Sequence, residues 1–107
     1  ETKKGNLEKT AIIGGIMGAK ETSKLIPRCH NIPINHINIE VIKNDKKSIF
    51  VVESKVKTNA NTGVEMEALT AVTISCLTIY DMCKYLNKKI KIQNIQVVSK
   101  TGGKSNI

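Results

Sequence analysis

The sequence predicts an α+β domain, with two long helices on one face of an antiparallel sheet. Three observations lead there. The stretch TGVEMEALTAVTISCLTIYDMCK, residues 62–84, spaces its apolar residues as a helix does. Two shorter stretches between residues 34 and 57 alternate apolar and polar residues, the period of a half-buried strand. The elements then follow in the order helix, strand, strand, helix, strand, which suits helices packed against an antiparallel sheet.

The first element runs from Gly5 to Ile26 and stops at Pro27, which cannot continue a helix. Asn6 is its candidate cap, with Glu8 and Lys9 in the first turns. Gly14, Gly15 and Gly18 sit in its middle, where glycine is costly. Close approach of another backbone explains them. The competing explanation, a phosphate loop, lacks a preceding strand and a recognisable nucleotide-motif spacing. From Ile34 to Lys43, Ile37, Ile39 and Val41 face one side and His36, Asn38 and Glu40 the other. Asn44 to Lys47 is a polar turn, and Ser48 to Lys57 a second strand, so the pair forms an antiparallel hairpin. A polar loop, Thr58 to Gly63, leads into the long helix. Ile90 to Val98 reads as a last strand, irregular at Asn94, and Thr101 to Ile107 as a mobile tail. A strand ahead of the first helix would complete the β-α-β-β-α-β pattern of ferredoxin-like folds. The abrupt start at Glu1 leads us to expect such a leading segment, with residues 1–107 forming a single, N-terminally incomplete domain.

The long helix has two distinctive faces. Leu69, Val72, Cys76, Ile79, Cys83 and Leu86 form one stripe, suited to a core. Glu67, Thr70, Ile74, Leu77, Asp81 and Lys84 form another, half apolar, with a carboxylate near each end. That second stripe suggests contact with another subunit or a ligand; the plainer alternative is a solvated face with two stray apolar residues. Glu67 and Asp81 share this face but lie 14 residues apart, about 21 Å along the axis. They cannot serve one bond as a paired acid and base. Asp81 and Lys84 are three apart and can touch, either as a surface ion bridge or as a proton donor and acceptor held together.

A formal charge of +8 points to an anionic partner: nucleic acid, a membrane surface or a phosphorylated metabolite. No apolar run appears long enough to cross a bilayer, and no signal-like start is present, which makes cytoplasmic residence the expectation. Cys76 and Cys83 read as small buried hydrophobes. Cys29 beside His30 suggests a thiol or metal site, but two histidines and no cysteine pair argue against zinc.

Several of these segments resemble one family. TGVEMEALTA and LTIYDMCK are similar to signature blocks of the MoaC family, the cyclic pyranopterin monophosphate synthases of molybdenum cofactor biosynthesis. KGN at Lys4 to Asn6 resembles the family's KGD, LIPRCH at Leu25 to His30 its LIPLCHP, and KTGGKS at Lys100 to Ser105 its KSGGKS. The five blocks keep the family's order and spacing over nearly the whole chain.

The resemblance implies a lyase that converts a cyclised dihydroguanosine triphosphate into cyclic pyranopterin monophosphate and diphosphate. It assigns catalytic roles to Asp81, Lys84 and Lys4. Arg28, Cys29 and His30 match one substrate-contacting turn, and Met66 and Glu67, with Glu65 nearby, another. Lys100 matches a further site lysine; Lys104, in the short GGK turn, is suited to holding a phosphate. It also implies sites between subunits of a dimer-based hexamer, a leading segment that supplies further basic residues, and no required cofactor, magnesium being able to ride on the substrate phosphates. The chain departs from the pattern at Arg28, Asn31 and Asn6, where leucine, proline and aspartate are usual; Arg28 adds a candidate phosphate contact. Two readings compete with the lyase. An RNA-binding sheet would need exposed aromatics, and the only aromatics are Phe50, Tyr80 and Tyr85, two of them on the helix side. An inactive structural relative would not need Lys4, His30, Glu67, Asp81, Lys84 and Lys100 together. Neither a membrane nor a nucleic acid is expected as partner.

Overall fold

A computed structural model describes residues 4–60 and 63–100, with only the backbone of Lys4 and Gly5. The α+β expectation holds: helix α1 (Lys4–Lys20), the single turn α2 (Thr22–Leu25), strands β1 (His36–Asn44) and β2 (Ile49–Lys57), and helix α3 (Glu65–Cys83) follow in that order. The tail from Thr101 lies outside the described residues.

The expected first helix is divided. Its long part ends at Lys20, and Glu21 makes the joint, its N–H donating to the carbonyls of Met17 and Gly18. Buried Thr22 ties the joint down by donating its hydroxyl to Gly18 O and Ala19 O, both at 2.9 Å. A hydroxyl that bonds back one turn bends a helix. Ile26 is extended, as a residue before proline should be. At the other end, α1 begins by Lys4, so Asn6 sits inside the helix and does not cap it.

β1 and β2 pair antiparallel from His36↔Lys57 to Asn44↔Ile49. Ile37, Ile39, Val41, Phe50 and Val52 turn to the helices, while His36, Asn38 and Glu40 face outward, as the alternation required. The hairpin closes through Lys47 N–H donating to Asn44 Oδ1 at 3.1 Å and a positive φ at Ser48. Among the described residues the sheet has these two strands only. Residues 90–98, expected as a third, run without strand pairing. The positive φ of Asn94 interrupts the extended run, and Val98 is 83% exposed. A strand is defined by the partner that takes its hydrogen bonds, and alternation alone does not provide one.

α1 and α3 run antiparallel: Leu7 meets Ile79 near one end, and Gly18 meets Ile74 and Thr70 near the other. The α1 glycines do mark backbone proximity. A Cβ on Gly15 would stand 3.1 Å from the carbonyl oxygen of Ala71, and one on Gly18 3.2 Å from that of Thr70. Ser75 bridges the seam, donating its hydroxyl to Ala11 O at 2.6 Å. Two small clusters form the core, Leu7–Ala11–Ile79 and Ala19–Ile39–Ala71, each extended by sheet residues.

This close packing turns α3 away from its expected orientation. Its buried residues are Glu67, Thr70, Ala71, Ser75 and Ile79. Of the expected core stripe only Ile79 is buried; Cys76 and Cys83 are half-buried free thiols, and Leu86, past the helix end, is 61% exposed. The stripe expected to meet another chain is partly covered by α1, since Ile74 lies over Gly14 and Gly18. Substitution of Ile74 by lysine would therefore damage the fold of the chain itself. Leu77, Asp81 and Lys84 on the same stripe remain exposed. At 19 residues, with an 18-residue stretch of mean hydropathy 1.2, α3 does reach the length and composition of a bilayer-crossing segment, contrary to expectation, but it is seated on α1 and β2.

Candidate functional site

The turn after α2 brings basic and thiol chemistry to the start of α3. Cys29 N–H donates to Ile26 O at 3.2 Å, closing a turn with Pro27 second and Arg28 third. Arg28 has φ 63°, the left-handed value that a type II turn demands at its third position. Arginine is unfavourable there by about 1–2 kcal/mol. The turn directs the chain along the first turn of α3, and a cleft of about 280 Å³ opens between them. Arg28, Cys29 and His30 line one wall, and Glu65, Met66 and Glu67 the other. The six residues expected to form two contacting segments thus share one cavity. Ile26, Pro27, Ile32 and Gly63 complete the walls and were not singled out by the sequence as site residues. Gly63 had a local signal: it is the glycine just ahead of a helix rich in acidic residues, and a Cβ there would meet the Glu65 carboxylate.

The two carboxylates differ. Glu67 is 3% exposed. Burial pushes its carboxyl above the ordinary 4.5; its own backbone amide works against that shift and the neighbouring Glu65 charge adds to it. A carboxyl in this setting is suited to holding a proton and giving it up. Glu65 reaches Lys100: its Oε2 lies 3.6 Å from Lys100 Nζ, and its buried Oε1 has no hydrogen-bond partner among the described residues. Residues 84–100 therefore run back from the end of α3 to its beginning. The Cys29 thiol makes only a 3.8 Å contact with the carbonyl of His30.

Asp81 and Lys84 are elsewhere. They pair at 2.9 Å on the last turn of α3, 74% and 57% exposed respectively. The hydrogen bond and charge of Asp81 raise the Lys84 ammonium above its usual range. The backbone of Lys4 belongs to this end too, three residues before Leu7, which packs on Ile79. The side chain of Lys4, and Lys104 entirely, lie outside the described residues. The expected residues thus form two groups, one at each end of α3: Arg28, Cys29, His30, Glu65, Met66, Glu67 and Lys100 at its start, and Asp81 and Lys84 at its finish.

Known proteins resemble this chain over nearly its whole length. The profile of the MoaC family matches residues 1–103. The chain is 50% identical over 104 residues to the cyclic pyranopterin monophosphate synthase of Nostoc sp., covering 97% of this chain and 62% of that protein. It is 50% identical over 103 residues to that of Helicobacter pylori, covering 96% and 65%. For that of Trichodesmium erythraeum the identity is 51% over 102 residues, covering 95% and 61%. The chain therefore spans a little under two thirds of the length of these curated relatives. A match over nearly its whole length, with a fold that gathers the matching blocks into two groups at the ends of one helix, makes this chain a member of the MoaC family.

Proposed function

We propose that the protein is a cyclic pyranopterin monophosphate synthase, a lyase that converts (8S)-3',8-cyclo-7,8-dihydroguanosine 5'-triphosphate into cyclic pyranopterin monophosphate and diphosphate. Membership of the family supports this reading, as do the names of its relatives. The observation that carries it is the cleft, where a proton-holding carboxyl, Glu67, stands opposite Arg28 and His30. Arg28, His30 and Lys100 then hold phosphate oxygens, with Lys104 extending the clamp. Cys29, Glu65 and Met66 shape the contact with the rest of the substrate. Asp81 acts as acid or base with Lys84, and Lys4 joins them.

The distance between the two groups supports a site shared between chains. About 21 Å of helix separates Glu67 from Asp81, too far for one reacting centre in one chain. We therefore place each complete site between two chains, the cleft of one meeting the Asp81 end of another, in a dimer-based hexamer. Exposed Leu77, between the two groups, is available to such an interface. The proposal needs no resident metal; magnesium enters, where it does, on the substrate phosphates. The complete fold is ferredoxin-like in this reading, and the enzyme cytoplasmic. RNA binding on the sheet finds little support: Phe50 packs toward the core, so the outer face of the hairpin offers no aromatic platform.

The test is to supply the cyclised nucleotide triphosphate to the protein. Release of diphosphate together with the cyclic pterin is the expected result. An intact substrate pool, with a correctly assembled protein, would remove the assignment.

A further inference from the structure

The contact between Glu65 and Lys100 is a poor ion pair in a place where a good one was available. Its 3.6 Å separation is well beyond the roughly 2.7–2.9 Å of a charge-assisted hydrogen bond. Among the described residues only one carboxylate oxygen is engaged, while the other is buried beside Gly63 with no hydrogen-bond partner. Both side chains are largely withdrawn from water, Lys100 to 22% and Glu65 to 35% exposure. A lysine held this loosely at the edge of a cleft is a labile cation, because a better acceptor nearby gains more from it than Glu65 does.

We propose that Glu65 and Lys100 form an exchange pair: a phosphate or diphosphate group entering the cleft takes over the Lys100 ammonium, and Glu65 is released as a free carboxylate beside Glu67. This rests on the reading of the cleft as a phosphate site. Lys100 in this scheme positions the phosphate and also sets the charge felt by Glu67. Glu67 is buried, and the charge of Glu65 already favours its protonated form. Withdrawing Lys100 leaves that charge uncompensated, so arrival of the anion holds the proton on Glu67 more firmly. The proton donor is then loaded when the substrate phosphates are seated.

The exchange makes an unusual prediction for affinity. Inorganic diphosphate is the probe, and calorimetry on the protein the readout. Lys100→Met should weaken binding by about tenfold or more, the scale of a hydrogen bond to a charged group. Lys100→Arg should recover most of that loss. Glu65→Gln should tighten binding by about threefold, because the competitor for the lysine is gone. The deciding measurement is Glu65→Gln in the Lys100→Met background. If Glu65 acts by holding the lysine, the gain there should vanish. An equal gain in both backgrounds would mean simple repulsion between carboxylate and anion, and would overturn the exchange while leaving the phosphate site standing. Failure of the wild type to bind diphosphate at all would overturn the phosphate site itself, and the exchange with it. Melting temperatures of all four variants near the wild-type value exclude unfolding as the cause.

Discussion

Each end of α3 carries a carboxylate paired with a lysine, and the two pairs are opposites in construction. Asp81 and Lys84 are neighbours on one turn, 2.9 Å apart and open to water. Glu65 and Lys100 come from segments 35 positions apart and meet at 3.6 Å, where Glu65 lines a cleft beside a buried carboxyl and Lys100 lies against Gly63 at its edge. The first pair needs only a helix to form. The second needs residues 84–100 to return along α3 to its start. Low-dielectric surroundings strengthen charge interactions, so the cleft end can bias the protonation of its groups by itself. At the exposed end Asp81 raises the Lys84 ammonium only through their own contact, which lies open to screening. The pair at the finish of α3 therefore rests on a solvent-open contact, and the cleft is where burial adds to the effect of neighbouring charge.

The largest expected effect tests the exposed end. Asp81→Asn and Lys84→Ala should each lower turnover by about a hundredfold or more, the scale of a positioned proton-transfer group. Their melting temperatures should barely move, because an exposed bridge contributes little to stability. The double variant should fall well short of the product of the two losses. Normal turnover in Asp81→Asn would leave that end with no more than a surface ion bridge.

The next effect falls on the seam that joins the two ends. Gly15→Val should destabilise the protein by about 1–3 kcal/mol, as overpacking does. The added Cβ would meet the Ser75 hydroxyl and the Ile39 side chain and stand 3.1 Å from a backbone oxygen that cannot easily yield. Chemical denaturation of Gly15→Val against wild type measures it. An unchanged midpoint would show that the helices can separate without loss.

The smallest effect sharpens the cleft end. Because the carboxyl of Glu67 is raised in the fold above its ordinary 4.5, the folded protein holds this proton more tightly than the unfolded chain does. Its stabilising contribution is complete below the unfolded value and is lost as pH rises through the folded one. Glu67→Gln should abolish that loss. The stability of the variant relative to wild type should therefore climb with pH from about pH 4 toward neutrality. Melting curves across that range read it directly, and two curves that stay parallel would mean that the Glu67 proton is not coupled to folding.

How much of this was legible in the sequence differs by region. The hairpin was, because Ile37, Ile39 and Val41 alternate cleanly with polar residues and the register follows. The existence of α3 was, but its orientation was not. Apolar periodicity gives weight to Leu69, Val72 and Cys76, whereas the closest packing is made by Ala71 and Ser75 against glycines. Small residues weigh little in a hydrophobic pattern, though they allow the tightest approach. The strand expected at 90–98 failed for a related reason, since its pattern says nothing about a partner. The cleft residues were found through their resemblance to family blocks. No spacing rule links Cys29 to Glu67, and the loose pair of Glu65 with Lys100 left no mark in the sequence.

The glycine seam also gives α3 the character of a ruler. Its backbone is held against α1 from Gly14 to Gly18 and by Ser75 on Ala11, so the helix cannot slide or turn to absorb a change in length. One residue inserted between Glu67 and Asp81 would advance the far end by about 1.5 Å and rotate it by about 100°. That would swing Asp81 off the face it shares with the cleft without altering any side chain at either end. Along the α1 seam substitution in this interval is governed by packing, but the count of residues across it is a quantity the protein has to keep.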